Sequence, residues 1–277
     1  MKREVIVVIG AGGIGQAIAR RQGIGKTVLL ADHNQQTLDA AAETLRAASY
    51  RVETRHVDVG SRAAVHALAE AASALGPVLQ LINTAGVSPN MASVETILEI
   101  DLYGSAVVFE IFRHVIAWGG SGLVVSSMAG HMMRPLPEED ERQLAMSPAD
   151  ALLALPCLQK AAIADPMMAY MVSKRANILR VQAEAVQWGA RGARVNAISP
   201  GIIVTPLAAH ELASPTGDIY RAMVAASPSG RMAPPDEIAV AASFLLGPDA
   251  GFITGSDLLI DGGVIAAMRA GKLPSPG

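Results

Sequence analysis

The tightest constraint in this sequence lies near its start. An apolar, β-branched run from Glu4 to Ile9 meets Gly10-Ala11-Gly12-Gly13-Ile14-Gly15 and then a helix-like stretch, Gln16 to Gln22. Gly10 permits a tight turn, Gly12 lets the main chain approach a pyrophosphate, and Gly15 lets helix and strand pack closely, while the helix N-terminus offers free N–H groups to phosphate oxygens. A glycine-rich turn without a ligand would share the pattern. The strand before it and the helix after it are what make Gly10, Gly12, Gly13, Ile14 and Gly15 candidate cofactor contacts. A second strand begins at Thr27 and delivers Asp32 about 20 residues beyond the first glycine, where a carboxylate accepts hydrogen bonds from the ribose hydroxyls of NAD and repels the 2′-phosphate of NADP. A solvated cap for the next helix is the competing role for Asp32.

Short β-branched runs recur at Arg51 to Val57, Leu79 to Asn83, Leu123 to Ser126, Arg194 to Ile198 and Asp257 to Ile260. Between them lie the amphipathic stretches Gln35 to Ala48, Ala63 to Leu75, Val94 to Trp118, Met167 to Trp188 and Pro235 to Leu246. Alternation of this kind predicts an α/β fold, a Rossmann-type doubly wound parallel sheet flanked by helices. With 277 residues and 51% hydrophobic composition the chain can bury one continuous core, so residues 1–277 are expected to form a single dinucleotide-binding catalytic domain. One stretch breaks the pattern. Residues 131–166 carry five prolines, an acidic run Glu138 to Glu141 and an apolar piece Ala151 to Leu155, which together predict an inserted, lid-like segment whose apolar face, with Pro156, Leu158 and Ile163, covers the substrate. A surface excursion or a subunit contact are the other roles open to it. Residues 272–277 read as a disordered tail.

Twenty-two Lys and Arg balance 25 Asp and Glu, a net charge of −3 without a basic block, so no footprint for nucleic acid or an anionic membrane is present. The expected partner is a small molecule. Cys157 stands alone, which excludes an intramolecular disulfide and a cysteine-built zinc site, and the six histidines form no ligand-spaced cluster, so no metal is expected. Met1-Lys2-Arg3 before an apolar run imitates a secretory signal, but Glu4 and the glycines interrupt it. A cytoplasmic location is the expectation, as no apolar run approaches the ~20 residues of a membrane span.

Tyr170 and Lys174 stand four apart in a helical stretch and so share a face. Upstream, Leu123 to Ser126 reads as a strand delivering Ser127 to the carboxyl edge of the sheet, where ligands of such folds bind, although a turn serine would also suit the position. Together these residues resemble the short-chain dehydrogenase/reductase family. The matching pieces are the glycine loop, Asp58-Val59, Asn83-Thr84-Ala85-Gly86, Ser127 three before Gly130, Tyr170-Met171-Val172-Ser173-Lys174, Pro200-Gly201-Ile202-Ile203-Val204-Thr205 and Asp261-Gly262-Gly263.

The resemblance covers nearly the whole chain apart from the insertion. It implies that Asp58 and Val59 edge the adenine, that Asn83, Ala85 and Gly86 brace the sheet beside the cofactor, and that Pro200, Gly201, Ile203 and Thr205 wrap the nicotinamide end. It implies a homo-oligomer, dimer or tetramer, as well. Two departures stand out. The glycine loop is one residue shorter than is usual, and Asp101, in Glu99-Ile100-Asp101-Leu102-Tyr103-Gly104, occupies the place of an asparagine that helps hold a water linking the lysine to solvent. If helix backbone chiefly holds that water, the aspartate is tolerated.

The chemistry follows from the side chains. Oxidation of an alcohol requires loss of the hydroxyl proton as well as hydride, and a tyrosine with its ordinary pKa near 10 is a poor base at neutral pH. The ammonium of Lys174 favours the phenolate of Tyr170 and can hold the nicotinamide ribose, and Ser127 can hydrogen-bond the substrate oxygen. The expected activity is hydride transfer between NAD(H) and a secondary alcohol or ketone. The alternatives are a cofactor-sensing binding protein with a relict site, which the intact Ser127, Tyr170 and Lys174 disfavour, and an enoyl reductase, in whose relatives tyrosine and lysine stand further apart. Met128, Met132, Met133, Met167, Met168 and Met171 crowd the sequence around the site as an adaptable pocket lining or as core filler.

Overall fold

The computed structural model describes residues 2–273, and its strands form one parallel sheet in the order β3-β2-β1-β4-β5-β6-β7. In chain order the elements of the first half are β1 (Val5–Ile9), α1 (Gly13–Gln22), β2 (Thr27–Asp32), α2 (Gln35–Ala47), β3 (Arg51–His56), α3 (Arg62–Leu75) and β4 (Val78–Asn83). They continue with α4 (Val94–Ile97), a π-helical turn (Leu98–Gly104), α5 (Ser105–Phe112), β5 (Ile116–Val125), α6 (Glu138–Met146), α7 (Ala149–Leu152) and α8 (Pro166–Gly189). The last are β6 (Arg194–Pro200), α9 (Pro206–Ala213), α10 (Gly217–Ala226), α11 (Pro235–Leu246), β7 (Asp257–Ile260) and α12 (Val264–Arg269). Strand order reverses between β1 and β4, and the crevice outside the carboxyl ends of strands at such a switch point is where open α/β sheets bind ligands.

Every residue of β1 is buried, because helices cover both faces of the sheet. One face packs on α3, α5 and α8, the other on α1, α2 and α11. In α2 the buried Leu38, Ala41, Ala42 and Leu45 follow helical spacing. Side chains of Asn34, Ser61, Asp165 and Thr205 cap α2, α3, α8 and α9 by accepting from backbone N–H groups of the first turn.

Three expectations need correction. The stretch expected as one helix from Val94 to Trp118 ends its helical part at Phe112, and β5 begins at Ile116, so that Trp118 lies on a strand and is 83% exposed. Short apolar runs do not distinguish helix from strand by periodicity, and here Gly119, at φ +74°, follows directly.

The inserted segment packs on the core and not over the cleft. Leu144, Ala149, Leu152, Leu158 and Ile163 are buried in the main core, and no residue lining the candidate cleft lies between 133 and 166. Polar contacts hold the segment on α5 and α8. The Glu110 carboxylate accepts from Arg62 Nη2 (2.7 Å), Arg180 Nη2 (3.1 Å) and the Ala149 N–H (2.7 Å), while Arg180 also donates to the carbonyl of Ser147 (2.8 Å). Glu141, expected in water, pairs with Arg175 at 2.7 Å.

The tail is ordered at its start. The Lys272 N–H donates to the Ala267 carbonyl (3.0 Å) and Leu273 packs against the cluster of α10 and α12, while residues 274–277 of the expected tail lie outside the described residues. Among the described residues no helix is long and apolar enough to cross a membrane.

Candidate active site

The glycine loop bridges β1 and α1 on the carboxyl side of the sheet. Gly10 has φ +98°, a left-handed conformation that L side chains resist, and a Cβ there would overlap Thr84 Oγ1. A Cβ on Gly15 would overlap the carbonyl oxygen of Gly10, which is the close helix–strand approach expected of that glycine. Around Gly12 a Cβ would meet nothing within 4 Å, so the main chain there faces open space in front of the α1 N-terminus. A pyrophosphate fits this surround, because the first N–H groups of a helix lack intrahelical partners. Thr84 steadies the loop: its hydroxyl lies 3.1 Å from the Ile9 carbonyl and 3.0 Å from that of Gly10.

Asp32, at the end of β2, accepts from the Ala11 N–H (2.7 Å) and the Asn34 N–H (2.8 Å). The cap of α2 is Asn34, which accepts from the Thr37 N–H (2.9 Å). Asp32 therefore ties the loop to the second strand, and its carboxylate keeps acceptor capacity for a diol. Asp58 is exposed and closes its own turn on the Gly60 N–H (2.9 Å), whereas Val59 points into the core beneath Gly104. Asn83 is buried, with its amide 3.3 Å from Ser105 Oγ and its carbonyl oxygen accepting from the Ala85 N–H (3.2 Å). Gly201 lies under Asp261, and Thr205 leans its methyl towards Gly13 while capping α9.

Ser127 and the Tyr170–Lys174 pair come together because β5 and α8 are joined at this point. Ser126 Oγ donates to the Lys174 carbonyl (2.8 Å), and Gly130 packs so tightly on the backbone of Lys174 and Arg175 that a Cβ would not fit. Ser127 and Tyr170 line the same cleft, and Lys174 Nζ lies 5.2 Å from the Tyr170 ring centre. Burial pushes the Tyr170 phenol above its ordinary pKa, with the Lys174 charge opposing this and the Asp101 charge adding to it.

Asp101 sits in the π-helical turn, fully buried, with Oδ2 3.1 Å from Lys174 Nζ and Oδ1 accepting from the Val87 N–H (2.8 Å). Its backbone carbonyl accepts from Asn177 Nδ2 of α8 (3.0 Å). Burial lifts the Asp101 carboxyl above the usual range despite Lys174 and the Val87 N–H. Burial alone would lower Lys174, but Asp101 and Tyr170 outweigh it and hold the ammonium above its ordinary range.

A cleft of about 210 Å³ opens beside these groups, lined by Ser127, Tyr170 and Lys174 together with Ile14, Gly86 and the Pro200 to Ile203 segment. Of the crowded methionines, Met128, Met132 and Met167 line it; Met133 and Met168 pack against the core. Sequence reasoning missed Glu211 and Tyr220, which also line the cleft, and the supporting roles of Ser126, Asn177 and the Val87 N–H. No spacing signal marks them, since each partner lies far away in the chain.

This chain belongs to the short-chain dehydrogenase/reductase family of oxidoreductases. The family model described as short chain dehydrogenase matches residues 4–137, and one described as enoyl-(acyl carrier protein) reductase matches residues 139–265. The chain is 39% identical to short-chain dehydrogenase/reductase bsc3 of Alternaria brassicicola, covering 96% of this chain and 97% of the relative. It is 34% identical to galactitol 2-dehydrogenase (L-tagatose-forming) of Cereibacter sphaeroides, covering 92% of each. Among solved structures, a variant of actinorhodin polyketide ketoreductase with NADPH superimposes with a TM-score of 0.73 at 25% identity, over 95% of this chain and 97% of that one. The family uses nicotinamide cofactors, and membership leaves the choice between NAD and NADP to the residues of each chain.

Proposed function

We propose that this protein oxidises a secondary alcohol, or reduces the matching ketone, with NAD(H) as its cofactor. The observation that carries the reading is the convergence of Ser127, Tyr170 and Lys174 on one cleft at the switch point of the sheet. Support for NAD comes from Asp32, whose carboxylate at the end of β2 would take ribose hydroxyls and repel a phosphate. Gly10 to Gly15 would hold the pyrophosphate, and Gly86, Pro200, Gly201, Ile203 and Thr205 would border the nicotinamide end. The bound cofactor supplies or accepts the hydride.

The protein's own part is the proton. In oxidation, Tyr170 Oη as phenolate takes the hydroxyl proton of the substrate; in reduction, the neutral phenol gives it back to the carbonyl oxygen. Ser127 Oγ hydrogen-bonds the same oxygen and fixes it beside Tyr170 as its charge changes. Lys174 stabilises the phenolate through its charge and can hold the nicotinamide ribose. Lys174 is buried and Tyr170 half-buried at the wall of the cleft, so a bound substrate and cofactor would displace water from the reacting atoms.

An absorbance screen for NADH formation over secondary alcohols, from small aliphatics to hydroxysteroids, tests the reading. Tyr170→Phe should lower turnover of any substrate found by at least ~100-fold while NAD binding stays nearly unchanged. Near-normal turnover in that variant would refute the mechanism. An enoyl substrate reduced in preference to every ketone would replace carbonyl chemistry with the activity named by the second family model.

A further inference from the structure

One part of the cleft lining is mostly apolar, formed by Leu207 and Ala208 of α9 with Ile219 and Met223 of α10. Two residues break it. Glu211 of α9 and Tyr220 of α10 both line the cleft, and the Glu211 charge adds to burial in pushing the Tyr220 phenol above its ordinary range. Glu211 Oε1 also accepts from Ser88 Oγ at 2.9 Å, from the loop that follows β4. No cation pairs with it among the described contacts. A carboxylate offers about four acceptor positions, and the one neutral donor Ser88 leaves most of them unfilled. Half-burying it beside apolar side chains costs free energy that a further hydrogen-bond donor would offset. Glu211 and Tyr170 line the same cleft, so a molecule held at the catalytic hydroxyl shares that space with the carboxylate.

We infer that Glu211 and Tyr220 are a second polar anchor of the substrate site, and that the substrate carries a second hydroxyl, donated to Glu211, on an otherwise apolar frame. This rests on the proposed alcohol chemistry at Tyr170. A cationic group is the competing occupant, and the amino alcohol in the experiment below tests for it. A second hydroxyl is preferred to none for the same reason that sites built to bond a hydroxyl reject analogues lacking it: the protein's polar groups would be left desolvated and unpaired.

The experiment compares cyclohexanol, the cyclohexane-1,2-, 1,3- and 1,4-diols and 4-aminocyclohexanol, as substrates and as ligands of the protein–cofactor complex. Wild type should favour at least one diol over cyclohexanol by about 10-fold or more in kcat/KM, chiefly through KM. In Glu211→Ala that ratio should collapse towards one, and Glu211→Gln, which keeps an acceptor, should restore part of it. A merely structural role for the Ser88–Glu211 contact would slow both substrates alike and leave the ratio unmoved. An unchanged ratio in folded Glu211→Ala, or preference for cyclohexanol or the amino alcohol, overturns the inference while leaving the alcohol chemistry standing. Diol binding that depends on Glu211 without turnover of any alcohol supports the anchor and refutes the reaction. Diols that neither bind nor react overturn the inference, and the alcohol chemistry falls with it only if no alcohol of the wider screen is turned over either.

Discussion

Replacing Asp101 by asparagine keeps the shape of the side chain, and its carbonyl oxygen can still accept from the Val87 N–H. What is lost is the negative charge 3.1 Å from Lys174 Nζ. With Lys174 Nζ 5.2 Å from the ring centre of Tyr170, Asp101 Oδ2 is no more than about 8 Å from that ring. At an effective dielectric of about 20, a unit charge at that distance is worth about 2 kcal/mol, or roughly 30-fold in the phenolate population. Asp101 opposes ionisation of Tyr170, so its neutralisation must favour phenolate.

Oxidation needs phenolate and reduction needs phenol. In Asp101→Asn the acid limb of kcat/KM for alcohol oxidation should therefore move about 1.5 pH units lower, and the alkaline limb for ketone reduction should move the same way. The assay is a pair of profiles from about pH 5 to about pH 10. Ultraviolet difference titration of the Tyr170 phenol, read against Tyr170→Phe, checks the same quantity without a substrate. Limbs and titration that stay where they are in wild type would show that Asp101 carries its own proton, and the reasoning would fail.

Two further outcomes follow from the geometry. Asp32 should make NAD bind at least ~10-fold more tightly than NADP by isothermal titration, about 1.4 kcal/mol, and equal affinity would sink that role. Replacing residues 131–165 with a short Gly-Ser linker removes Leu144, Leu152, Leu158 and Ile163 from the core, about 6 kcal/mol of apolar burial, and should lower Tm by more than about 10 °C. An unchanged Tm with a raised KM would instead favour a lid over the substrate.

What was legible in the sequence was whatever depends on neighbours in the chain. The β-branched runs, the glycine turn and the helical spacing of Tyr170 and Lys174 are local patterns, and each is where the reading put it. The failures came where distant partners decide. Ala151 to Leu155 looks equally apolar whether it faces a substrate or the flanks of α5 and α8, and only Arg180 and Glu110, contributed by those helices, settle which. The Glu211–Tyr220 pair becomes visible only once α9 and α10 fold over the cleft.

Asp101 shows the same division within one residue. Its departure from the family asparagine could be read in the chain, but its consequence could not, because that depends on a π-helical turn. Such a turn widens the helix, and at this one the Asp101 carbonyl is bonded by Asn177 of α8. The side chain is then fixed through both oxygens, to the Val87 N–H and to Lys174. Where that carboxyl is ionised its charge offsets that of Lys174, so the ionisation of Tyr170 depends on the pair and not on the lysine alone.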